Sequence, residues 1–531
     1  MSGTQRSWWQ RGVIYQIYPR SFHDSNNDGI GDLDGIRRRL DHLAWLGVDA
    51  LWMSPIYPSP MADGGYDIAD YTAIDPCFGT LETFDSLLAD AHARGLRVIL
   101  DFVPNHTSGR HPWFLASRSG RNDPRRDWYI WRDPAPGGGP PNNWLSNFGG
   151  SAWEWDMASG QYYYHAFLRE QPDLNWRNPA VRAAMYDVLR FWLRRGVDGF
   201  RVDVIWHLIK DAALRDNPPN PAWREGDREV DRLLAVHSAD QPEVLEVVAE
   251  MRAVIDEFPD RVLIGEIYLP VERLVAYYGR DLSGAHLPFN FQLILAPWQA
   301  RGIARLIEEY ERVLPPGGWP NWVLGNHDQS RVASRVGEAQ ARVAAMLLLA
   351  LRGTPTLYYG DEIGMADVPV PPWRLQDEWA KREPGKGRDP YRTPMRWDGT
   401  ANAGFSSGTP WLPVGDDGGT CNVAALAADD RSILSLHRRL IALRRDRSAL
   451  AVGPYRPVAA EGDVLAWKRG EGAEEILVAL NLGHAPASLA LPGAARLWTP
   501  LLCTHLDDAT VLTGSEVRLR PDEGVILVAA G

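Results

Sequence analysis

What most restricts the fold of this chain is a rhythm. Eight times, a short apolar run with strand character is followed by a segment carrying the 3.6-residue periodicity of an amphipathic helix. The strand runs are 13–18, 50–55, 97–103, 199–204, 262–267, 287–291, 322–325 and 354–359. The helix patterns are 33–46, 81–94, 179–195, 243–257, 271–278, 303–313, 340–351 and 432–444. Alternation of this kind is the pattern of parallel β/α architecture, and eight repeats predict a closed barrel rather than an open sheet. The run at 287–291 is the irregular member, because Pro288 has no N–H to give to a ladder.

At 531 residues the chain exceeds what one hydrophobic core holds, and the rhythm breaks where extra domains would begin. Residues 1–103 and 172–451 are assigned to the barrel. The stretch 104–171, rich in Gly, Pro, Trp and Tyr, falls between the third strand and its helix, so it reads as an inserted domain over the barrel mouth. A second insertion, 365–403, follows the eighth strand. From 452 to 531 the pattern changes to short strands separated by turn residues, which predicts a small antiparallel β-sandwich. The fold class is thus α/β: a (β/α)8 TIM barrel with an inserted domain after strand 3 and a C-terminal antiparallel β-sandwich.

A formal charge of −12 with no Lys/Arg-rich run argues against nucleic acid or an anionic membrane surface as partner. A small neutral substrate fits better, and 23 Trp supply ring faces suited to sugars as well as to cores. The three cysteines, Cys77, Cys421 and Cys503, are isolated and read as reduced thiols. The first ten residues lack the apolar core of a signal peptide, and the longest apolar run, 346–351, is too short to span a bilayer. The expected compartment is the cytoplasm and the expected state a monomer or homodimer.

Active sites of such barrels lie at the C-terminal ends of the strands, and carboxylates collect there. Asp203 ends GFRVD, Glu266 ends LIGE, Asp328 ends VLGNHD beside His327, and Asp101 with Asn105 and His106 ends VILDFVPNH. A single Asp after a strand is as often a turn or helix-cap residue. Four such sites on eight strands point instead to one shared mouth, where burial and mutual repulsion push pKa values apart. Glycoside hydrolysis needs that divergence, one carboxylate attacking the anomeric carbon and one carboxylic acid protonating the leaving oxygen.

The blocks DFVPNH, GFRVDV, GEIY and LGNHDQ, in this order, resemble the α-amylase family, glycoside hydrolase family 13, and the resemblance extends over essentially the whole chain. It implies that Asp203 is the nucleophile, Glu266 the general acid/base and Asp328 a third carboxylate holding sugar hydroxyls. Arg201, on the same strand face as Asp203, is expected to keep the nucleophile ionised. His106 and His327 are expected to donate hydrogen bonds to the sugar whose bond is cut. QPDLNW, 171–176, is similar to the form found in oligo-1,6-glucosidases and related α-glucosidases, which makes Gln171 a substrate-binding candidate. GGYDIADY supplies Tyr66 as a stacking candidate and Asp67, and by likeness to similar exo-acting enzymes Asp67 is expected to pair with Arg392 from RTPMRW, with Arg388 and Arg396 as alternatives, to close the pocket. Phe148 and Phe167 match aromatic positions lining that pocket, or form a small core of the insertion. Val204, after the nucleophile, leans toward α-1,6 cleavage, whereas the loop DVPVPPWRLQDEW resembles branches acting on maltose and sucrose or transferring glucose. Linkage stays open.

DSNNDGIGD sets Asp24, Asn26, Asp28 and Asp32 around two glycines, an oxygen-rich loop suited to a hard cation. It is not an EF-hand, since the twelfth position from Asp24 is Gly35. The resemblance implies one structural Ca2+ or Mg2+, with the Ile30 carbonyl completing the shell, and no organic cofactor. The function implied is a retaining α-glucosidase acting on short α-glucosides. The alternative is a glucosyl transferase or isomerase on the same scaffold, of trehalose synthase or sucrose isomerase type; the RLDRD-type motif of sucrose isomerases is absent. Replacing Asp203 by Asn is expected to abolish turnover and leave the circular dichroism spectrum unchanged, and wild-type rates in that variant would discard the mechanism.

Overall fold

The computed structural model describes residues 6–383, 385–490, 498–507, 511–513 and 516–529. Eight strands, β1 (Ile14–Ile17), β2 (Ala50–Met53), β3 (Arg97–Phe102), β4 (Gly199–Val202), β5 (Val262–Ile267), β6 (Leu287–Asn290), β7 (Asn321–Val323) and β8 (Thr354–Tyr358), close into one barrel. All pairs are parallel, and β8 returns to β1. Register is what later builds the site: Asp101 lies opposite Arg201 between β3 and β4, and Val202 opposite Gly265 between β4 and β5. Asp203 and Glu266 therefore leave the barrel side by side, one step beyond that last pair.

The strands bury both faces, as parallel strands covered by helices must. Ile14, Trp52, Ile99, Ile264 and Phe289 are among the residues packed together in one apolar cluster of the barrel. The surrounding helices start and stop on legible signals. Thr80 caps Leu81–Ala93 by accepting the Thr83 N–H. Asn178 and Pro179 open Pro179–Arg195, and Gly196 ends it in the left-handed conformation. Ser432 caps Ile433–Asp446.

Two expected helices differ. The pattern over 33–46 is two helices, Leu33–Arg38 and Leu40–Leu46, broken at Arg39. The periodicity ran on because both pieces bury apolar side chains inward, Leu33 and Ile36 in one, Leu40, Leu43 and Leu46 in the other. The pattern over 271–278 is α-helical only at Val271–Leu274 and tightens to a 3-10 turn at Val275–Tyr278. Pro288 is accommodated in β6, where it sits opposite Gly265 of β5, while the β6–β7 register is the single pair Trp322–Asn290.

The inserted segment carries the helix Pro112–Ser119 and a three-stranded antiparallel sheet of Trp131–Arg132, Gln161–Tyr164 and Trp153–Asp156. It has an apolar cluster of its own around Trp144, Trp153 and Tyr164. The second insertion contributes a short helix, Glu378–Arg382. At the C-terminus a five-stranded and a three-stranded antiparallel sheet pack apolar faces together, Val464, Leu477 and Leu527 against Leu489, Val517 and Leu519. Two buried guanidiniums lie where the barrel meets this sandwich, and Arg469 joins the two by donating to Ala350 of the barrel. Arg444 Nη1 donates to the carbonyls of Leu349, Leu351 and Leu450, and Arg469 donates to those of Ala350 and Gly453. They spend their charge on carbonyl oxygens that would otherwise be buried without partners. No described helix is long and apolar enough to cross a membrane.

Candidate active site

The centre of the barrel mouth is the Arg201 guanidinium, fully buried and facing three carboxylates. Nη1 donates to Asp101 Oδ1 and to Asp203 Oδ1, each at 2.8 Å, and Nη2 lies 2.7 Å from Glu266 Oε2. Asp101 is further held by the Trp52 indole N–H at 3.1 Å and the Tyr66 hydroxyl at 3.0 Å. One positive charge thus answers three negative ones in a dry site. Burial raises Asp203 well above the ordinary carboxylate range; Arg201 opposes it, while Glu266, Asp101 and Asp328 add to it. Glu266 is raised by burial too, with Arg201 and the Val204 N–H pulling the other way. Arg201 acts on Asp203 in the expected direction, but burial outweighs it. Its charge is divided among three carboxyls, so it offsets burial at each only in part.

Asp328 behaves oppositely. Burial would raise it, but His327, Arg392 and Arg388 outweigh burial and hold it far below the usual range. Arg392 Nη2 donates to its Oδ1 at 2.8 Å, Arg388 Nη1 stands at 3.4 Å, and His327 Nε2 is 3.1 Å from Oδ2. The carboxylates of one mouth have been driven apart, as acid and base roles require.

After Asp203 the chain turns sharply. Val204 has φ 37° and ψ 46°, left-handed values that a β-branched residue avoids and that cost on the order of 1–3 kcal/mol. The turn aims the Val204 N–H at Glu266 Oε2, 2.9 Å away. The strained residue is thereby the link between the two carboxylates that the chemistry needs.

Tyr66 lies flat against the His327 ring, centroids 5.1 Å apart and planes 2° from parallel. His327 Nδ1 is 2.8 Å from Gln16 Nε2. His106 Nε2 stands 3.1 Å from the Tyr66 carbonyl and 3.0 Å from Gln171 Nε2. Burial pushes His106 down to about 4 and His327 well below its ordinary value, so both rings are neutral near pH 7 and keep one N–H to donate and one nitrogen to accept. Phe167 packs 5.2 Å from His106 and 6.1 Å from Phe148, while also touching the apolar cluster of the insertion. Phe167 thus packs both on His106 and on the insertion's own core.

The pair expected between Asp67 and Arg392 does not form. Asp67 accepts the Ser59 hydroxyl and the N–H groups of Ala62 and Asp63, closing its own loop, while Arg392 serves Asp328 and the His327 carbonyl. The ion pair bridging these two loops is Asp63 with Arg388, at 2.6 Å. Gln171 Nε2 donates to Asp63 at 3.0 Å, and Asp377 grips Arg388 at 2.8 and 2.9 Å. Asp63 and Asp377 were not singled out from the sequence, and Arg388 only as an alternative to Arg392. DGGYD offers two carboxylates and RDPYRTPMR three arginines, and local pattern does not tell which member of each faces the other; Arg396 pairs with Asp417 instead.

At the loop after β1 the carboxylates turn toward the loop itself. Asp24 accepts the N–H groups of Asn26, Asn27 and Gly29, Asp28 that of Ile30, and Asp32 those of Ser25 and Gly35. Among the described residues no three His, Cys, Asp or Glu side chains gather as a metal would gather them. The donor set is nonetheless all oxygen, and Asp32 is raised by burial with the Asp24 charge adding to it.

A profile of the alpha amylase catalytic domain matches residues 16–453. The chain belongs to the α-amylase family. Within it, a probable alpha-glucosidase of Rhizobium meliloti is 44% identical, covering 92% of this chain and 91% of its own. An oligo-1,6-glucosidase of Heyndrickxia coagulans is 39% identical, covering 98% and 99%. Among solved structures, an alpha-glucosyl transfer enzyme superposes with a TM-score of 0.95 at 41% identity, covering 99% of this chain and all of the other. In this family member, removing the Arg201 charge as Arg201→Gln raises the carboxylates still further, so a smaller fraction of Asp203 is ionised at any given pH. The rising limb of kcat/KM against pH is expected to move to higher pH, with the plateau lowered at least ~10²-fold. A limb that stays in place or moves down would refute the assignment.

Proposed function

We propose that this member of the α-amylase family is a retaining, exo-acting α-glucosidase that removes terminal glucose from short α-glucosides. The observation that carries the reading is the single guanidinium of Arg201 shared by Asp203 and Glu266, with Asp328 held ionised beside them. Sharing one cation keeps the two carboxyls close, the spacing that favours direct attack over a water placed between them. Asp203 attacks the anomeric carbon while Glu266 gives its proton to the departing oxygen, and Asp328 holds hydroxyls of the distorted ring. Glu266, then deprotonated, takes a proton from water, whose oxygen displaces Asp203 and restores the free enzyme. Neutral His106 and His327 donate to hydroxyls without adding positive charge. Asp63 and Arg388, braced by Gln171 and Asp377, take over the role expected of Asp67 and Arg392: a paired carboxylate and guanidinium that bind the non-reducing end of one glucose and block anything longer. The relatives named alpha-glucosidase and oligo-1,6-glucosidase support hydrolysis.

A second reading has one observation in its favour, the likeness to an alpha-glucosyl transfer enzyme. The same covalent intermediate serves both, differing only in whether water or a sugar or alcohol intercepts it. Maltose, isomaltose, sucrose and trehalose incubated in parallel separate the two. Free glucose dominating from one linkage is expected, with isomaltose favoured if Val204 sets the preference. New glucosides dominating from the earliest times would make the protein a transferase.

A hard cation is also proposed for the loop after β1, held by side-chain oxygens of Asp24, Asn26, Asp28 and Asp32 and the Ile30 carbonyl. When bound, such an ion supplies charge compensation for buried carboxylates and no catalytic step. Stripping with a chelator should lower Tm, and Ca2+ or Mg2+ should restore it, since saturation at a hundredfold over Kd is worth about 2.7 kcal/mol. A Tm indifferent to chelator and both ions would remove the metal.

A further inference from the structure

We propose that the crevice between the inserted domain and the loop after β2 is a second saccharide-binding site, separate from the catalytic mouth. It encloses about 580 Å3 and is bounded by Met61 and Ala62 of that loop, by Arg110, and by Glu154, Trp155 and Glu170 of the insertion. That volume falls within the range of small-ligand sites, roughly 300–1,000 Å3.

Trp155 lies on the edge strand of the inserted sheet and leaves 42% of its surface open. Its cross-strand neighbour Tyr162 packs against it with ring centroids 5.0 Å apart, which fixes the indole as a rigid platform. A large ring kept exposed on a strand suits the C–H face of a pyranose, which buries apolar area there while its hydroxyls stay wet at the edge. The flanking groups supply the polar half. Arg110 and Glu154 make no ion pair and no side-chain hydrogen bond among the described residues, so a guanidinium fork and a carboxylate are free for neighbouring hydroxyls. The other charges are satisfied in place, Arg118 with Asp156, Arg169 with Glu170, Glu378 with Lys381, and Asp67 by three hydrogen bonds from its own loop, so the crevice has no strong field for a polyanion or polycation. A neutral polyol is the ligand this chemistry takes.

The crevice also explains where Asp67 went. Asp67 forms part of its wall, while Asp63, four residues earlier on the same loop, reaches Arg388 beside Asp328. None of Arg201, Asp203, Glu266, Asp328, His106 or His327 lines the crevice. A saccharide held there leaves the catalytic pocket empty and raises the local concentration of chain ends beside it. The identity of the sugar as an α-glucan rests on the glucosidase reading; the site itself rests on the crevice.

The test is calorimetric titration of the Asp203→Asn protein with maltotriose. Two sites per chain are expected, and adding Trp155→Ala should leave one, with affinity at the other falling at least tenfold. Glu154→Gln, an isosteric change at a half-buried group, should weaken the same site and serves if Trp155→Ala misfolds. Maltose hydrolysis by Trp155→Ala in the otherwise native protein should keep its kcat/KM. A single site unaffected by either substitution overturns the proposal, as does binding of no saccharide at all. Binding that disappears with Trp155→Ala, in a protein showing no glucosidase activity, leaves the crevice standing and removes the catalytic reading alone.

Discussion

One buried cation organises this protein's chemistry. Arg201 has no solvent to stabilise it and no single partner to neutralise it, and it stands among Asp101, Asp203 and Glu266. A buried charge is tolerable only when paired and hydrogen-bonded, and so is each buried carboxylate. The four groups are mutually dependent: take away the guanidinium and three carboxylates are stranded, take away the barrel register and the guanidinium has nothing to face. Burial, with the excess of negative charge adding to it, raises Asp203 and Glu266, and a raised carboxylic acid beside a nucleophilic carboxylate is the requirement of double displacement.

Around this centre the surrounding groups set differences. Asp328 is held ionised by Arg392, with Arg388 and His327 beside it, while Asp203 and Glu266 are raised by burial. His327, Arg392 and Arg388 gathered at one carboxylate, against burial opposed by one arginine divided among three, make the contrast. The left-handed Val204 adds a backbone N–H to the same balance at the cost of local strain, which the rigid barrel can carry because β4 and β5 fix its surroundings on both sides. The pocket's closed end follows the same logic, since Asp63 and Arg388 are buried and each is held by further polar partners, Gln171 and Asp377.

Much of this was legible in the amino-acid sequence. The eight-fold alternation names the barrel, because burial of both faces of a parallel strand imposes a short continuous apolar run and burial of one face of a helix a 3.6-residue period. The placement of Asp203, Glu266, Asp328, His106 and His327 follows from lying at or just past the C-terminal ends of strands, and Arg201 from the two-residue alternation that puts it on the face of Asp203. Pro288 remained compatible with a strand, and the break at Arg39 was invisible, since both flanking helices bury the same side. These are local properties, set by the residue and its neighbours along the chain.

What only the tertiary structure decided concerns contacts between segments hundreds of residues apart. Asp63 or Asp67, and Arg388, Arg392 or Arg396, are chemically equivalent choices within their own loops. Which carboxylate meets which guanidinium depended on loop closure by Asp67 through the Ala62 and Asp63 N–H groups, and on the grip of Asp377 on Arg388. The direction of each carboxylate's pKa was likewise not a property of its motif, because it sums burial and charges brought from different strands. The sequence determined which groups stand at the mouth; the packing of that mouth determined which of them share a proton, which stay charged, and which serve only to hold a loop.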